Sequence, residues 1–278
     1  MITRRQALKL TSTTGAAALL FGCAQGSERQ AAQGGTAEAK RLRVLATSDM
    51  HGMFVPWDYA LDVEDSSGSV AKLATAVKDL RDQGTLLVDV GDTIQDNMAD
   101  LFLMDEVHPM IVCMNALGYE FGATGNHEYN FGMDVVRKTI DSFSGTVLTG
   151  NVKDERGNPI ADGYAIVEKG DVRVGLIGMV TPYITHWDEA NLRGCTVGDP
   201  VEETRRIVDQ IKGNVDVFIG VMHMGLDNEY DEPHTGVRDL AQACPEFDLI
   251  VAAHQHKLVE GEEVNGVLIV ENQFHAHA

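Results

Sequence analysis

The sequence predicts an α/β domain, and three observations carry that prediction. From Arg43 onward, short apolar runs rich in Val, Ile and Leu alternate with amphipathic stretches, the pattern of strands separated by helices. The residues with distinctive chemistry stand just after these runs: Asp49 and His51 after the first, Asp92 after the second, His223 after the sixth, His254 and His256 after the seventh. Strand ends on one edge of an α/β sheet converge, so segments far apart in sequence can share one site there. Finally, 278 residues with 44% apolar content suffice for a substantial core, which excludes disorder as the main state.

Taken in order, the strands are expected at 43–47, 85–90, 146–149, 164–168, 172–180, 215–222, 248–253 and 267–271, each a short apolar run. Helices are expected at 69–82, 99–117, 133–143, 201–212 and 236–243. Asp199-Pro200 marks the start of the fourth helix, with Glu202 and Glu203 in its first turn. Met104, Met110 and Met114 in the second read as core filler rather than a functional methionine surface. No internal repeat and no domain-scale linker follows residue 42.

The formal charge is −20, with 42 acids against 22 bases. Binding to a nucleic-acid polymer is not expected, because such a surface has too little basic charge to release counterions from a phosphate backbone. Cysteines 23, 113, 195 and 244 are too few and too scattered for a disulfide framework. The N-terminus reads as an address: Arg4-Arg5 in a twin-arginine pattern, then a small and apolar stretch from Thr14 to Phe21 too short for a permanent membrane span. It ends Leu20-Phe21-Gly22-Cys23, which resembles a bacterial lipobox with Cys23 as the lipidated residue. Residues 1–22 are therefore expected to be a signal peptide read by the twin-arginine export machinery, 23–41 a flexible tether to a lipid anchor in the membrane, and 42–278 the catalytic domain. The expected location is outside the cytoplasm, in the periplasm or on the outer side of the cell envelope.

Five short motifs carry the chemistry. Asp49-Met50-His51-Gly52 presents a carboxylate and an imidazole from one turn, and Gly91-Asp92 sets a carboxylate at the mouth of a buried strand. Gly125-Asn126-His127-Glu128 offers an amide oxygen beside a titratable ring. His223 follows an apolar strand, and His254-Gln255-His256 has the spacing of a chelating pair. Alone, most of these have ordinary structural explanations; a lone buried histidine is usually part of the core. In this order they form the five-block signature of the calcineurin-like metallophosphoesterases. The text of Ala46 to Gly52, Gly91 to Gln95, Gly118 to Glu120, Gly125 to Gly132, Thr149 to Asn151 and Gly175 to Pro182 resembles the bacterial 5′-nucleotidase / 2′,3′-cyclic-nucleotide 2′-phosphodiesterase branch.

That resemblance implies a four-layer αββα sandwich of two mixed sheets flanked by helices, with two divalent metal ions at the sheet edge. Asp49, His51 and His256 would take one ion, Asn126, His223 and His254 the other, and Asp92 would bridge them. Such mixed donors suit Mn²⁺, Zn²⁺ or Fe. The implied activity is hydrolysis of small-molecule nucleotide phosphoesters, 2′,3′-cyclic nucleotides and 3′- or 5′-nucleotides, by metal-activated hydroxide, with His127 as the catalytic acid. Three departures stand out. Ala253 replaces the usual Gly before His-x-His; Asn130 stands where classical 5′-nucleotidases carry an Asp partnering the catalytic histidine; and the sequence ends at Ala278, where the family continues into a C-terminal domain that clamps the nucleobase. Asn130, three residues after His127, is placed to touch it if a helical turn begins there. Trp57 and Tyr59 are candidates to line the cleft, whereas His108, His186 and His234 read as surface or loop residues, and His275 and His277 as non-ligands. Two alternatives remain open to the sequence: a thiosulfohydrolase of sulfur oxidation in the same superfamily, and a surface binding protein that keeps metals without turnover.

Overall fold

The structure is a computed structural model and describes residues 8–13, 16–21, 41–59, 61–274 and 276. Its first half contains β1 (Leu8–Thr13), β2 (Ala16–Phe21), β3 (Arg43–Thr47), β4 (Trp57–Asp58), β5 (Val63–Glu64), α1 (Val70–Leu80), β6 (Thr85–Asp89), α2 (Pro109–Leu117), β7 (Phe121–Ala123), α3 (Met133–Ser142) and β8 (Thr146–Leu148). The second half contains β9 (Val152–Lys153), β10 (Tyr164–Lys169), β11 (Val172–Val180), α4 (Ile184–Trp187), β12 (Thr196–Val197), α5 (Pro200–Ile211), β13 (Val217–His223), α6 (Val237–Ala243), β14 (Leu249–Ala252), β15 (Val259–Val264) and β16 (Val267–Glu271). One sheet runs β1-β2-β3-β6-β7-β8 and the other β10-β11-β13-β14-β16-β15. Strands β3, β6, β7 and β8 are parallel, as are β11, β13, β14 and β16, so each sheet turns the C-terminal ends of four strands toward one edge.

Period-two alternation in the buried strands produces the layers. Val44, Leu86 and Val88 meet Leu176, Ile219 and Val251 in a core between the sheets. Their neighbours Leu45 and Leu87 face outward onto Val70, Leu73 and Val77 of α1 and Met110 and Met114 of α2. On the other sheet Ile177, Ile250 and Ile269 pack under Val201, Ile207 and Ile211 of α5 and Leu240 of α6. The architecture is the expected αββα sandwich. Asp199 caps α5 by accepting from the backbone of Val201 and Glu202, with Pro200 in the first turn.

The expected helix 99–117 is broken. A 3₁₀ turn covers Ala99–Phe102, and α2 begins only at Pro109, which has no N–H to continue a preceding helix. His108 is the cap: its Nδ1 accepts from Met110 N and its Nε2 meets Ala99 O, so this loop residue is buried. Met104 is 88% exposed and fills no core, unlike Met110 and Met114. Sequence reading also passed over β7, only three residues long, and β15, an edge strand that mixes Val with Glu. The described backbone of β2 pairs with β3 through Ala18, Leu19 and Leu20 against Leu45, Val44 and Arg43. An apolar run beside an otherwise open strand edge has the backbone donors and acceptors to extend it. Arg4, Arg5 and Cys23 lie outside the described residues. Cys113, Cys195 and Cys244 are free thiols.

Candidate metal centre

The turns after β3 and β6 are joined backbone to backbone: Asp49 N donates to Gly91 O (2.9 Å), His51 N to Asp92 O (2.9 Å) and Gly52 N to Thr93 O (3.0 Å). Asp49, His51, Asp92, His254 and His256 all have positive φ, between 44° and 79°, a region that non-glycine residues rarely occupy. Such backbone strain gathers at functional sites. Gly91 is needed because a Cβ there would overlap the backbone of Gly125, where the third motif crosses it. Ala253 is buried, and the left-handed turn falls on His254 after it, so the Gly-to-Ala departure meets no strain.

All seven donors expected from sequence meet at this edge. His256 Nε2 lies 3.4 Å from Asp49 Oδ1 and 3.2 Å from His51 Nε2. Asn126 Oδ1 lies 3.0 Å from His223 Nε2 and 2.7 Å from His254 Nδ1. Asp92 Oδ2 stands between the groups, 3.1 Å from His223 Nε2 and 4.0 Å from His51 Nε2. Among the described residues, Asp49–His51–His256, Asp92–His223–His254 and His51–Asp92–His127 each converge tightly enough to hold a metal ion.

The donor chemistry fits a cation. His223 Nδ1 lies 2.7 Å from Val90 O, an acceptor only, so Nδ1 carries the proton and in the neutral ring Nε2 turns a lone pair toward Asp92 and Asn126 oxygens. Lone pairs facing lone pairs repel unless positive charge lies between them. Without metal that charge is a proton: burial alone would lower the basicity of His223, but the Asp92 charge outweighs it and pushes the imidazole up to about 10. The same partnership holds Asp92 well below the carboxylate range despite its burial.

His127 sits at the rim. Its backbone N–H donates to Asp92 Oδ1 (2.8 Å), its Nε2 is 4.0 Å from Asp92 Oδ2, and its side chain is 31% exposed. The 3₁₀ turn His127–Phe131 sets Asn130 Oδ1 2.7 Å from His127 Nδ1. Asn130 Nδ2 in turn donates to Asp188 Oδ2 (2.9 Å).

Four carboxylates escaped sequence reading as parts of the site. Asp188 orients Asn130. Buried Glu128 accepts from the backbone N–H groups of Asp92 (3.0 Å), Thr93 (2.8 Å) and Gly125 (2.6 Å), pinning two donor turns together. Glu229 receives Thr181 Oγ1 on one oxygen and meets His254 Nε2 with the other. Glu271, at the end of β16, accepts from Lys257 N just past His256, and burial pushes it up to about 7. Only Glu128 carried a signal, standing directly beside His127 in the third motif; the others are brought in by the fold. Tyr59 borders a cavity of about 470 Å³ together with Asp96, whose carboxylate reaches His51 Nδ1 at 3.1 Å. Trp57 lies on the same ribbon, 37% exposed. His186 is exposed and His234 half-buried against Asp199; His275 and His277 lie outside the described residues.

Two stacked mixed sheets carry imidazole, carboxylate and amide donors at their common edge, the arrangement of a candidate metal centre. The family model for the calcineurin-like phosphoesterases matches residues 42–258. The chain belongs to that family. It is 35% identical over 251 residues to the trifunctional nucleotide phosphoesterase protein YfkN of Bacillus subtilis, a match covering 81% of this chain and 17% of that protein. It is 31% identical over 244 residues to a 2′,3′-cyclic-nucleotide 2′-phosphodiesterase/3′-nucleotidase of Yersinia enterocolitica, covering 80% of this chain and 37% of that protein. The crystal structure of the calcineurin-like phosphoesterase YfkN from B. subtilis superposes with a TM-score of 0.77 at 30% identity, over 84% of this chain and 82% of that one. The chain thus spans well under half the length of these two curated relatives.

Proposed function

We propose that the chain hydrolyses nucleotide phosphoesters, namely 2′,3′-cyclic nucleotides and 3′- or 5′-nucleotides, at a centre of two divalent ions (Mn²⁺, Zn²⁺ or Fe). The observation that carries this reading is the position of His127, beside the seven converging donors yet open to solvent, where an ester held at the centre would expose its departing oxygen. The names of the relatives support the nucleotide part. Asp49, His51 and His256 would hold one ion and Asn126, His223 and His254 the other, with Asp92 between them. When bound, the ions would supply Lewis acidity and neutralise phosphoryl charge, which matters on a chain of net charge −20.

The protein groups have separable tasks. Asp92 ties the two donor sets and, through its Oδ1, fixes the backbone at His127. Asn130 holds His127 Nδ1, leaving Nε2 to deliver a proton to the departing ester oxygen. Val90 O and Glu229 fix the tautomers of His223 and His254, so that each presents its other nitrogen to the centre. Hydrolysis of 2′,3′-cyclic AMP to 3′-AMP, phosphate release from 3′-AMP and 5′-AMP, and p-nitrophenol release from bis-p-nitrophenyl phosphate test the reading, with turnover of the first two expected. Cleavage of a protein-bound thiosulfonate with no hydrolysis of any of them would instead favour the thiosulfohydrolase reading.

Export and lipid anchoring belong to the same proposal, supported by the twin-arginine pattern and the context of Cys23. Cleavage before Cys23 would take β1 and β2 with the leader but leave β3 paired to β6 and the centre intact. Arg4→Lys with Arg5→Lys should retain the precursor in the cytoplasm, and Cys23→Ala should free the mature chain from membranes. Unchanged membrane localisation of both variants contradicts this part.

A further inference from the structure

One group of side chains has no task in the catalytic reading. Tyr183 and Trp187 lie at the two ends of α4, and Tyr230 in the 3₁₀ turn Glu229–Asp231. The Tyr183 ring is 4.9 Å from Tyr230 and 5.8 Å from Trp187, and Trp187 is 5.5 Å from the ring of His254. Aromatic rings therefore run outward from the donor set in an unbroken series. Trp187 is 39% and Tyr230 71% exposed, so these large rings face solvent rather than fill a core.

The series is also fixed in place. Thr181 Oγ1 donates to Glu229 Oε2 and Tyr183 Oη to Glu232 Oε2, both at 2.9 Å, joining the two loops that carry the rings. Glu229 is itself tied to His254. At the other end, α4 leads into Asp188, which holds Asn130 and through it His127. An ester whose departing oxygen faces His127 would send its organic part along this face. Tyr230 has φ 52° and ψ 31°, so the fold keeps an exposed ring in a conformation that its backbone disfavours.

The surroundings select the occupant. A cavity of about 370 Å³ borders Tyr183 and is walled by Asp199, Glu232 and His234. Carboxylates there repel further phosphate groups but accept hydrogen bonds from ring N–H and exocyclic amino groups. A neutral heteroaromatic ring satisfies both the aromatic face and the acidic wall. We infer that Tyr183, Trp187 and Tyr230 form a stacking surface for the nucleobase of the substrate, built within the catalytic domain itself. The inference rests on the nucleotide reading of the site.

The test compares 3′-AMP with base-free ribose 3-phosphate in the metal-loaded full chain. Trp187→Ala and Tyr230→Ala should each lower the ratio of kcat/KM for 3′-AMP over ribose 3-phosphate by about tenfold, mostly through KM for 3′-AMP. Trp187→Phe, which keeps a ring, should restore most of the ratio. Because the chain has two tryptophans, Trp57→Phe isolates Trp187 emission, which 3′-AMP should quench and ribose 3-phosphate should not. Equal losses on both substrates, or an unchanged ratio in a chain that turns over 3′-AMP, overturn the stacking surface and leave the nucleotide reading standing. A wild-type chain that cleaves ribose 3-phosphate but no nucleotide overturns both.

Discussion

The two halves of the proposed metal centre bring together similar donors at different depths. Asn126, His223 and His254 are held from behind: His223 is fully buried with Nδ1 on Val90 O, and His254 has Nε2 on Glu229. Asp49 and His51 are as deeply placed, but their third partner, His256, has a 34% exposed side chain stacked on Phe274 at 4.9 Å. Groups behind a ligand fix its tautomer and orientation, and their loss typically weakens metal binding by about 10–100-fold. In the inner half those groups are buried or nearly so, whereas in the outer half His51 leans on the exposed Asp96 and the set closes with one solvent-facing ring. Asp92 belongs to both.

The largest effect should come from removing what the halves share. Asp92→Asn should take bound metal toward zero per chain and abolish phosphate release, whereas His127→Ala should keep the metal and lose about 10²–10⁴ in rate. Elemental analysis beside a phosphate assay separates the two; comparable metal loss in His127→Ala would break the division between ligand and acid. Next comes the asymmetry itself. His256→Ala should lose one ion and keep the fold, while His223→Ala should lose the inner ion and also destabilise the chain by about 1–3 kcal/mol, because Val90 O is left buried without a donor. Denaturant unfolding of the metal-free variants decides, and equal stabilities would contradict the depth argument.

A smaller effect follows from the proton that stands in for metal. In the metal-free chain His223 is raised to about 10, so its pairing with Asp92 stabilises the fold fully below the ordinary histidine value of about 6.5 and is lost as pH climbs toward about 10. Metal must displace that proton. Inner-half affinity should therefore rise with pH, about tenfold per unit for one proton displaced, and calorimetry in buffers of different ionisation enthalpy should register the release. The smallest effect concerns Asp188, which holds Asn130 with its oxygen toward His127. Asp188→Ala frees that amide to turn, and kcat should fall by about tenfold with metal content unchanged. No change in kcat would mean that His127 needs no orienting partner.

The contrast also explains what the sequence made legible. Strands buried on both faces announce themselves as unbroken apolar runs, so the α/β class could be read directly, whereas the seven residues that meet at the sheet edge were singled out by the family resemblance of the motifs that follow those runs. Edge and three-residue strands such as β15 and β7 have no such pattern. The 99–117 segment misled because its apolar spacing continues through His108 and Pro109, where the backbone cannot. Asp188, Glu229 and Glu271 stayed hidden for another reason: each is an ordinary acid in a loop or at a strand end until the fold sets it behind a histidine or a donor turn many residues away.

The most direct measurement is hydrolysis of 2′,3′-cyclic AMP to 3′-AMP by metal-stripped chain titrated with Mn²⁺, with bound metal counted at each step. Activity should be absent from the stripped chain, remain low while the inner half fills, and rise to its plateau as the count approaches two per chain. Full activity at one ion per chain, or two bound ions without hydrolysis of any nucleotide, would contradict a shared two-ion centre as the seat of catalysis.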